Sequence, residues 1–282
     1  MWKRQLAACR LVPATESSSV PYRIDVLHPP ADALDRLVAL DALDVEAADG
    51  RVAALLPDSM PAQTVADALA PAVVTVSAAV GRDDGSVWIL HPRPTQVGRL
   101  LLVPAHLPAP PGALRLGDGP AFGTGLHVTT ALCLEALDDL LETTQPASML
   151  DVGVGSGVLA LAALLHGVPT AVGVDIDPGA LVVAAENARL NGLADRLQLV
   201  QGGPEAVDGR WSLVLANVLA APLMDMAATL VQRVGHGGEL VLSGVHSAVA
   251  ADVERTYRRL GMRHVRTESR GGWSMLLLRP SW

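Results

Sequence analysis

The stretch SMLDVGVGSGVLALAALL, Ser148 to Leu165, passes from a strand pattern to a helix pattern through glycines at alternate positions. Few folds accommodate that change. Met149-Leu150-Asp151-Val152 is short, apolar and β-compatible, Gly153, Gly155 and Gly157 follow, and a helical run begins at once with Val158. A strand feeding a helix through bare backbone aims N–H groups and the positive end of the helix dipole at one point, which suits an anionic or carboxylate-bearing ligand. Glycine keeps side chains off that ligand and permits positive φ. The dinucleotide fingerprint is Gly-x-Gly-x-x-Gly; here the last glycine comes one residue early and Val158 holds its place, so the spacing points away from NAD. The alternative is a tight strand-to-helix connection that binds nothing.

With 282 residues, half of them hydrophobic, the chain is long enough for a large core and for two domains. A net charge of −8 argues against direct nucleic-acid binding through whole-molecule electrostatics and is compatible with a basic protein partner. Cys9 and Cys133 are far apart and belong to no Cys/His cluster, so neither a metal site nor a disulfide framework is expected, and a reducing compartment fits. The residues after Lys3 and Arg4 lack the apolar core of a signal peptide, and no apolar run reaches a membrane span. A cytoplasmic protein is expected.

From Tyr22 to about Val80 the pattern is strand, helix, strand, strand, helix, strand. YRIDVL is extended, ADALDRLVAL is helical, DVEAADGRVAALL is a hairpin turning at Asp49-Gly50, PAQTVADALA is a helix opened by Pro61, and AVVTVSAAV closes the set. This βαββαβ order is that of a ferredoxin-like module, assigned to residues 1–80. Asp32, Asp35, Asp41, Asp44, Glu46 and Asp49 give it an acidic side, either a solvated face or a docking surface for a basic partner. Residues 81–118 form a Pro-rich connector whose apolar pieces, SVWIL and GRLLLVPA, predict packing on the domain that follows. Residues 119–282 alternate strands (LQLV, WSLVLAN, ELVLSG, WSMLLLR) with helices (HVTTALCLEALDDLL, PGALVVAAENARLN, LAAPLMDMAATLVQRV, AVAADVERTYRRL), which predicts an α/β doubly wound, mainly parallel sheet covered on both faces. Ligands of such sheets lie past the carboxyl ends of the strands, so Gly153, Asp175 and Asn217 are expected to converge on one cleft.

Each of these positions carries a candidate role. Asp175 ends TAVGVD, one crossover helix after the glycine turn, where a carboxylate can accept both ribose hydroxyls of an adenosine; dehydrogenases place an acid there too, so it supports a ribose and no particular cofactor. Asp177 before Pro178 reads as a helix N-cap. Asn217 has two readings: a strand-end residue satisfied by its own turn, or a side-chain carbonyl that accepts a hydrogen bond from an amine about to be methylated. Upstream, GDGPAFGTGLHVTT holds Phe122, able to cover a cofactor, and Thr124, His127 and Thr130 as polar contacts; His127 equally reads as a cap or surface residue. Gly-x-Gly-x-Gly itself is typical of methyltransferases that bind S-adenosylmethionine.

AFGTGLHVTTALCLEAL, LDVGVGSGVLALAA, GVDIDPGALVVAAENARLNG, LVLANVLAAPL and LVLSGV, in this order, resemble the PrmA family, the methyltransferases of large-ribosomal-subunit protein eleven. The resemblance runs from about Gly117 to the C terminus, and WILHPRPTQVGRLLLVPA resembles the family's connector. It implies a class I methyltransferase domain behind a substrate-recruiting ferredoxin-like domain, S-adenosyl-L-methionine as cofactor, and contacts to it at Thr130, Gly153, Asp175 and Asn217; Gly155 of the same turn is a further candidate for cofactor binding, and Asn217 is the catalytic candidate. The implied reaction is methylation of amines, lysine side chains or an N-terminal α-amine, on a large-subunit ribosomal protein. Methylation of another protein or a small molecule, and non-catalytic binding of S-adenosylmethionine, are the alternatives.

Overall fold

The computed structural model describes residues 21–48, 50–79, 81–82, 87–88, 92–117 and 127–282, and the chain divides into two compact units, residues 1–92 and 93–282. In the first unit β1 (Tyr22–Leu27), α1 (Ala33–Ala39), β2 (Asp44–Ala48), β3 (Arg51–Leu56), α2 (Ala62–Leu69) and β4 (Val73–Ala78) follow in the predicted order. The four strands pair antiparallel as β2-β3-β1-β4, the arrangement of a ferredoxin-like module. Alternation decides which face is covered: Ile24, Val26, Val52, Ala54, Leu56 and Val74 meet Leu37, Val65 and Leu69 of the helices in one core. Asp25, at an alternate position of β1, is half-buried and ion-paired with Arg23 at 2.8 Å. A two-residue pair, β5 (Gly81–Arg82) with β6 (Val87–Trp88), follows.

The second unit opens with β7 (Thr95–Val97), β8 (Leu100–Pro104) and β9 (Leu114–Leu116), a small sheet made from the Pro-rich stretch. Val97, Leu100, Leu102, Leu114 and Leu116 are buried against α3 (Val128–Thr143) and α4 (Val158–Leu165), so this stretch packs as part of the second unit. Then come β10 (Met149–Val152), β11 (Ala171–Asp175), α5 (Pro178–Leu190), β12 (Leu197–Gln201), β13 (Trp211–Asn217), α6 (Ala220–Asp225), α7 (Ala227–Arg233), β14 (Val234–His246), α8 (Ala250–Arg259), β15 (Met262–Arg270) and β16 (Trp273–Pro280). The sheet order is β12-β11-β10-β13-β14-β16-β15, parallel except for β16, which runs antiparallel to both of its neighbours. Both faces are apolar because both are covered. Leu213, Leu215, Val241 and Leu277 point to the core under α3 and α4, and Val214, Ala216, Leu240, Leu242 and Leu276 to the core that includes Leu223, Leu230 and Tyr257.

Two elements differ from the sequence expectation. LAAPLMDMAATLVQRV forms two short helices, not one; Met226 sits between them at φ −91° and ψ 6°, although hydrogen bonds still run from its N–H to Pro222 O and from Leu230 N–H to its own carbonyl. MRHVRTESR, not expected as a strand, is the edge strand β15. An edge needs only a sparse apolar face, and the charges that protect it also hide its period. Among the described residues no helix is long and apolar enough to cross a membrane.

The level of the site depends on Gly244, which has φ +79° and lies so close to the Val218 backbone that a Cβ there would overlap it. Gly244→Ala is expected to lower stability by about 1–3 kcal/mol from the backbone conformation alone, more with the overlap. Urea denaturation tests this, and unchanged stability would mean that β14 tolerates a shift away from Val218.

Candidate active site

Register brings the predicted residues together. Val152 pairs with Val174 on one side and Ala216 on the other, so the next residues, Gly153, Asp175 and Asn217, lie level at the carboxyl edge of three adjacent parallel strands. Asn217 is in turn opposite Ser243 of β14. The first turn of α3 lies against this edge: Thr130 is fully buried with Oγ1 3.5 Å from Asn217 Nδ2, and the Thr129 carbonyl accepts from Ser243 Oγ at 3.2 Å. Asn217 Oδ1 is buried and has no hydrogen-bond partner among the described residues. The reading of Asn217 as a strand-end residue satisfied by its own turn thus leaves its carbonyl oxygen unused.

The glycine turn takes the strained backbone that its sequence implied. Gly153, Gly155 and Gly157 have φ of +76°, +53° and +83°, and a Cβ on Gly153 would come within 2.6 Å of Val218 Cγ1. Several of its N–H groups already have partners within the chain. Gly153 and Val154 donate to Val174 O, Gly155 to Asp175 Oδ2 at 2.9 Å, Val158 to Ser156 Oγ, and Ala160 to Asp151 Oδ2 at 3.1 Å. Asp175 and the fully buried Asp151 thus each take one N–H here, and Asp175 is the half-buried acid at the edge of the turn.

Asp175 is half-buried, and its two oxygens each accept one backbone N–H, from Gly155 and from Asp177 at 3.0 Å; lone pairs on both oxygens remain for ribose hydroxyls. Asp177 caps α5 through Gly179 N at 2.8 Å, as its position before Pro178 implied. His127 is buried and caps α3: Nδ1 accepts from Thr129 N at 3.3 Å and lies 2.7 Å from Thr129 Oγ1, while the ring meets Trp273 edge-on at 5.4 Å. Phe122 and Thr124 lie outside the described residues.

Two residues beside these were not singled out from the sequence. Asp151, the one acid inside the buried strand β10, is fully buried, with Oδ1 unpartnered. Burial pushes its carboxyl up to about 8 against the opposing hydrogen bond from Ala160, and the charge on Asp175 adds to the rise. A carboxylate in an otherwise apolar strand was the available signal. Trp273, half-buried between His127 and His246 at 5.4 and 5.9 Å, gave none, since a tryptophan at a strand start is ordinary core chemistry. The Cys133 thiol is pushed up to about 12 by burial and is no nucleophile. Among the described residues no group of His, Cys, Asp and Glu is arranged to hold a metal ion.

Bare backbone at Gly153, a carboxylate with lone pairs to spare at Asp175 and an unused buried carbonyl oxygen on Asn217 fit an adenosine-bearing ligand. The sequence profile described as "Ribosomal protein L11 methyltransferase (PrmA)" matches residues 37–280. The chain is 43% identical over 210 residues to a ribosomal protein L11 methyltransferase of Geobacter sulfurreducens, covering 73% of this chain and 69% of the relative. It is 33% identical over 273 residues to one of Rhizobium rhizogenes, covering 93% and 90%. A crystal structure of ribosomal protein L11 methylase from Lactobacillus delbrueckii subsp. bulgaricus superposes with a TM-score of 0.62 at 28% identity, covering 67% of this chain and 99% of that one.

The buried acid generates a pH dependence. Asp151 binds its proton more tightly folded than unfolded, so its contribution to stability is full below about pH 4 and is lost as pH rises towards about 8. Asp151→Asn removes this titration. Denaturation of the ligand-free proteins at a series of pH values is expected to show the wild type losing more stability than the variant between about pH 6 and about pH 8; parallel curves would show that Asp151 is ionised throughout.

Proposed function

Because this chain belongs to the ribosomal protein L11 methyltransferase (PrmA) family, we propose that it transfers methyl groups from S-adenosylmethionine to amines of the large-subunit ribosomal protein L11, on lysine side chains or the N-terminal α-amine. The observation that carries this reading is the level placement of Gly153, Asp175 and Asn217 with an unused buried oxygen on Asn217. When bound, S-adenosylmethionine supplies an electrophilic methyl group and a positive charge that disfavours protonation of a neighbouring amine.

The residues of the chain bind and orient. Asp175 takes the ribose hydroxyls, the backbone of Gly153 and Gly155 allows close approach, and Thr130 backs Asn217; Phe122 and Thr124 complete the binding set by their place in the sequence. Asn217 Oδ1 accepts a hydrogen bond from the acceptor amine and thereby turns its lone pair towards the methyl group. Only a neutral amine has that lone pair. A lysine with a pKa of about 10.4 is neutral in about one molecule in 2,500 at pH 7, a handicap of about 4.6 kcal/mol. Desolvation in the cleft lowers that pKa, and positioning supplies much of the remaining rate. An N-terminal amine, with a pKa near 8, titrates more easily still.

The first unit, with Asp32, Asp35, Asp41, Asp44, Glu46 and Asp49, is the recruiting domain for a basic ribosomal protein in the cytoplasm. Part of that charge is already matched within the chain, since Asp32 pairs with Arg36 at 2.9 Å.

Incubation with radiolabelled S-adenosylmethionine and an extract lacking this enzyme, followed by mass spectrometry of the labelled band, is expected to place the label on amines of L11. Label confined to small molecules or to another protein would overturn the assignment. Asp175→Ala is expected to weaken cofactor binding by about 1.5–3 kcal/mol, and calorimetry showing unchanged affinity would remove it from the ribose. Asn217→Ala is expected to lower kcat by about a hundredfold with a smaller effect on cofactor affinity; normal turnover would refute its role.

A further inference from the structure

The glycines that let a ligand approach the turn leave it few side chains to hold its shape, Ser156 Oγ on the Val158 N–H among them, so groups from outside the turn also hold it. Asp175 takes the Gly155 N–H of the turn, and Asp151 the Ala160 N–H of the helix that follows it. Another group reaches the turn from α5. Asn187 is 1% exposed and uses both ends of its amide: Nδ2 donates to Ser156 O at 2.8 Å, inside the turn, and Oδ1 accepts from Gly117 N at 2.8 Å, just after β9. The same face of α5 touches the turn one helical turn earlier, where a Cβ on Gly157 would lie 3.2 Å from Ala184 Cβ. One turn later Asn191 grips β9 alone: Oδ1 accepts from Arg115 N at 2.8 Å, and Nδ2 donates to Arg115 O and Asn187 O at 2.7 Å.

We infer that Asn187 is a positioning residue for the cofactor, fixing the Ser156 peptide of the glycine turn against the end of β9 so that the backbone under the ligand is set before the ligand arrives. This rests on the proposed cofactor site. Asn187 is neutral, and its amide faces Ser156 and Gly117, so its effect on binding passes through the turn. Asn191 is its internal control, with a similar number of hydrogen bonds on the same helix and none to the turn.

The experiment compares wild type, Asn187→Ala, Asn187→Asp and Asn191→Ala in binding of S-adenosylhomocysteine by calorimetry, in Tm, and in KM for S-adenosylmethionine against kcat. Asn187→Asp keeps the acceptor for Gly117 N–H and removes the donor to Ser156 O. Both Asn187 variants are expected to raise Kd and KM by about tenfold, the scale of one lost buried hydrogen bond, with kcat at saturation within about threefold of wild type. Asn191→Ala is expected to lower Tm at least as much while Kd stays within about threefold. Wild-type affinity in the Asn187 variants, or equal weakening by Asn191→Ala, would overturn the inference. If the Asn187 variants do not fold, hydrogen exchange of the wild type decides: the Gly117 and Gly157 amides are expected to gain protection together when S-adenosylhomocysteine is added, and no gain at Gly117 would overturn it. Failure of the wild type to bind S-adenosylhomocysteine would instead defeat the proposed function.

Discussion

Parallel pairing of β10 with β11 and β13, in a register that sets Val152 beside Val174 and Ala216, is the constraint on which the site depends. The positions one step beyond that paired row are level with one another, and they are the proposed site: bare backbone at Gly153, just after β10, a carboxylate at Asp175, the last residue of β11, and an amide at Asn217, the last residue of β13. The sheet holds that register because both its faces are packed, with Leu213 and Leu215 in one core and Val214 and Ala216 in the other. A slip of one residue would exchange the two faces and separate the three functional groups.

Electrostatics then decides what can sit on this edge. A helix N-terminus after a glycine turn ordinarily attracts anions, but here Asp151 takes the N–H of Ala160 and Asp175 that of Gly155. The field of the helix is answered from within the chain. What remains at the edge is the half-buried carboxylate of Asp175 and the unused amide oxygen of Asn217. Burial raises the Asp151 carboxyl, so it holds its proton more tightly than an exposed acid does.

The two units solve different packing problems. The first buries one face of a four-stranded sheet under two helices, and a charged pair, Arg23 with Asp25, lies on the strand between its core positions. The second covers its sheet on both faces and recruits β7, β8 and β9 from the Pro-rich stretch into its core. Those prolines limit the length of the strands without preventing the intervening leucines and valines from being buried.

Local sequence determined much of this. The glycine turn, the N-cap at Asp177, the βαββαβ order and the alternation of strands and helices each depend on residues within a few positions of one another, so periodicity and spacing could disclose them. The convergence of Gly153, Asp175 and Asn217 was also readable, because parallel strands joined by helices place their carboxyl ends together. Other features were decided only by the tertiary structure. That Asp151 is a fully buried acid, that His127 stands between its capping role and the ring of Trp273, that β15 completes the sheet edge and that Asn187 links Ser156 to Gly117 all depend on residues far apart in sequence meeting in space. A hydrogen bond across such a distance leaves no period in the chain, since either partner taken alone is an ordinary polar residue on a helix, strand or loop.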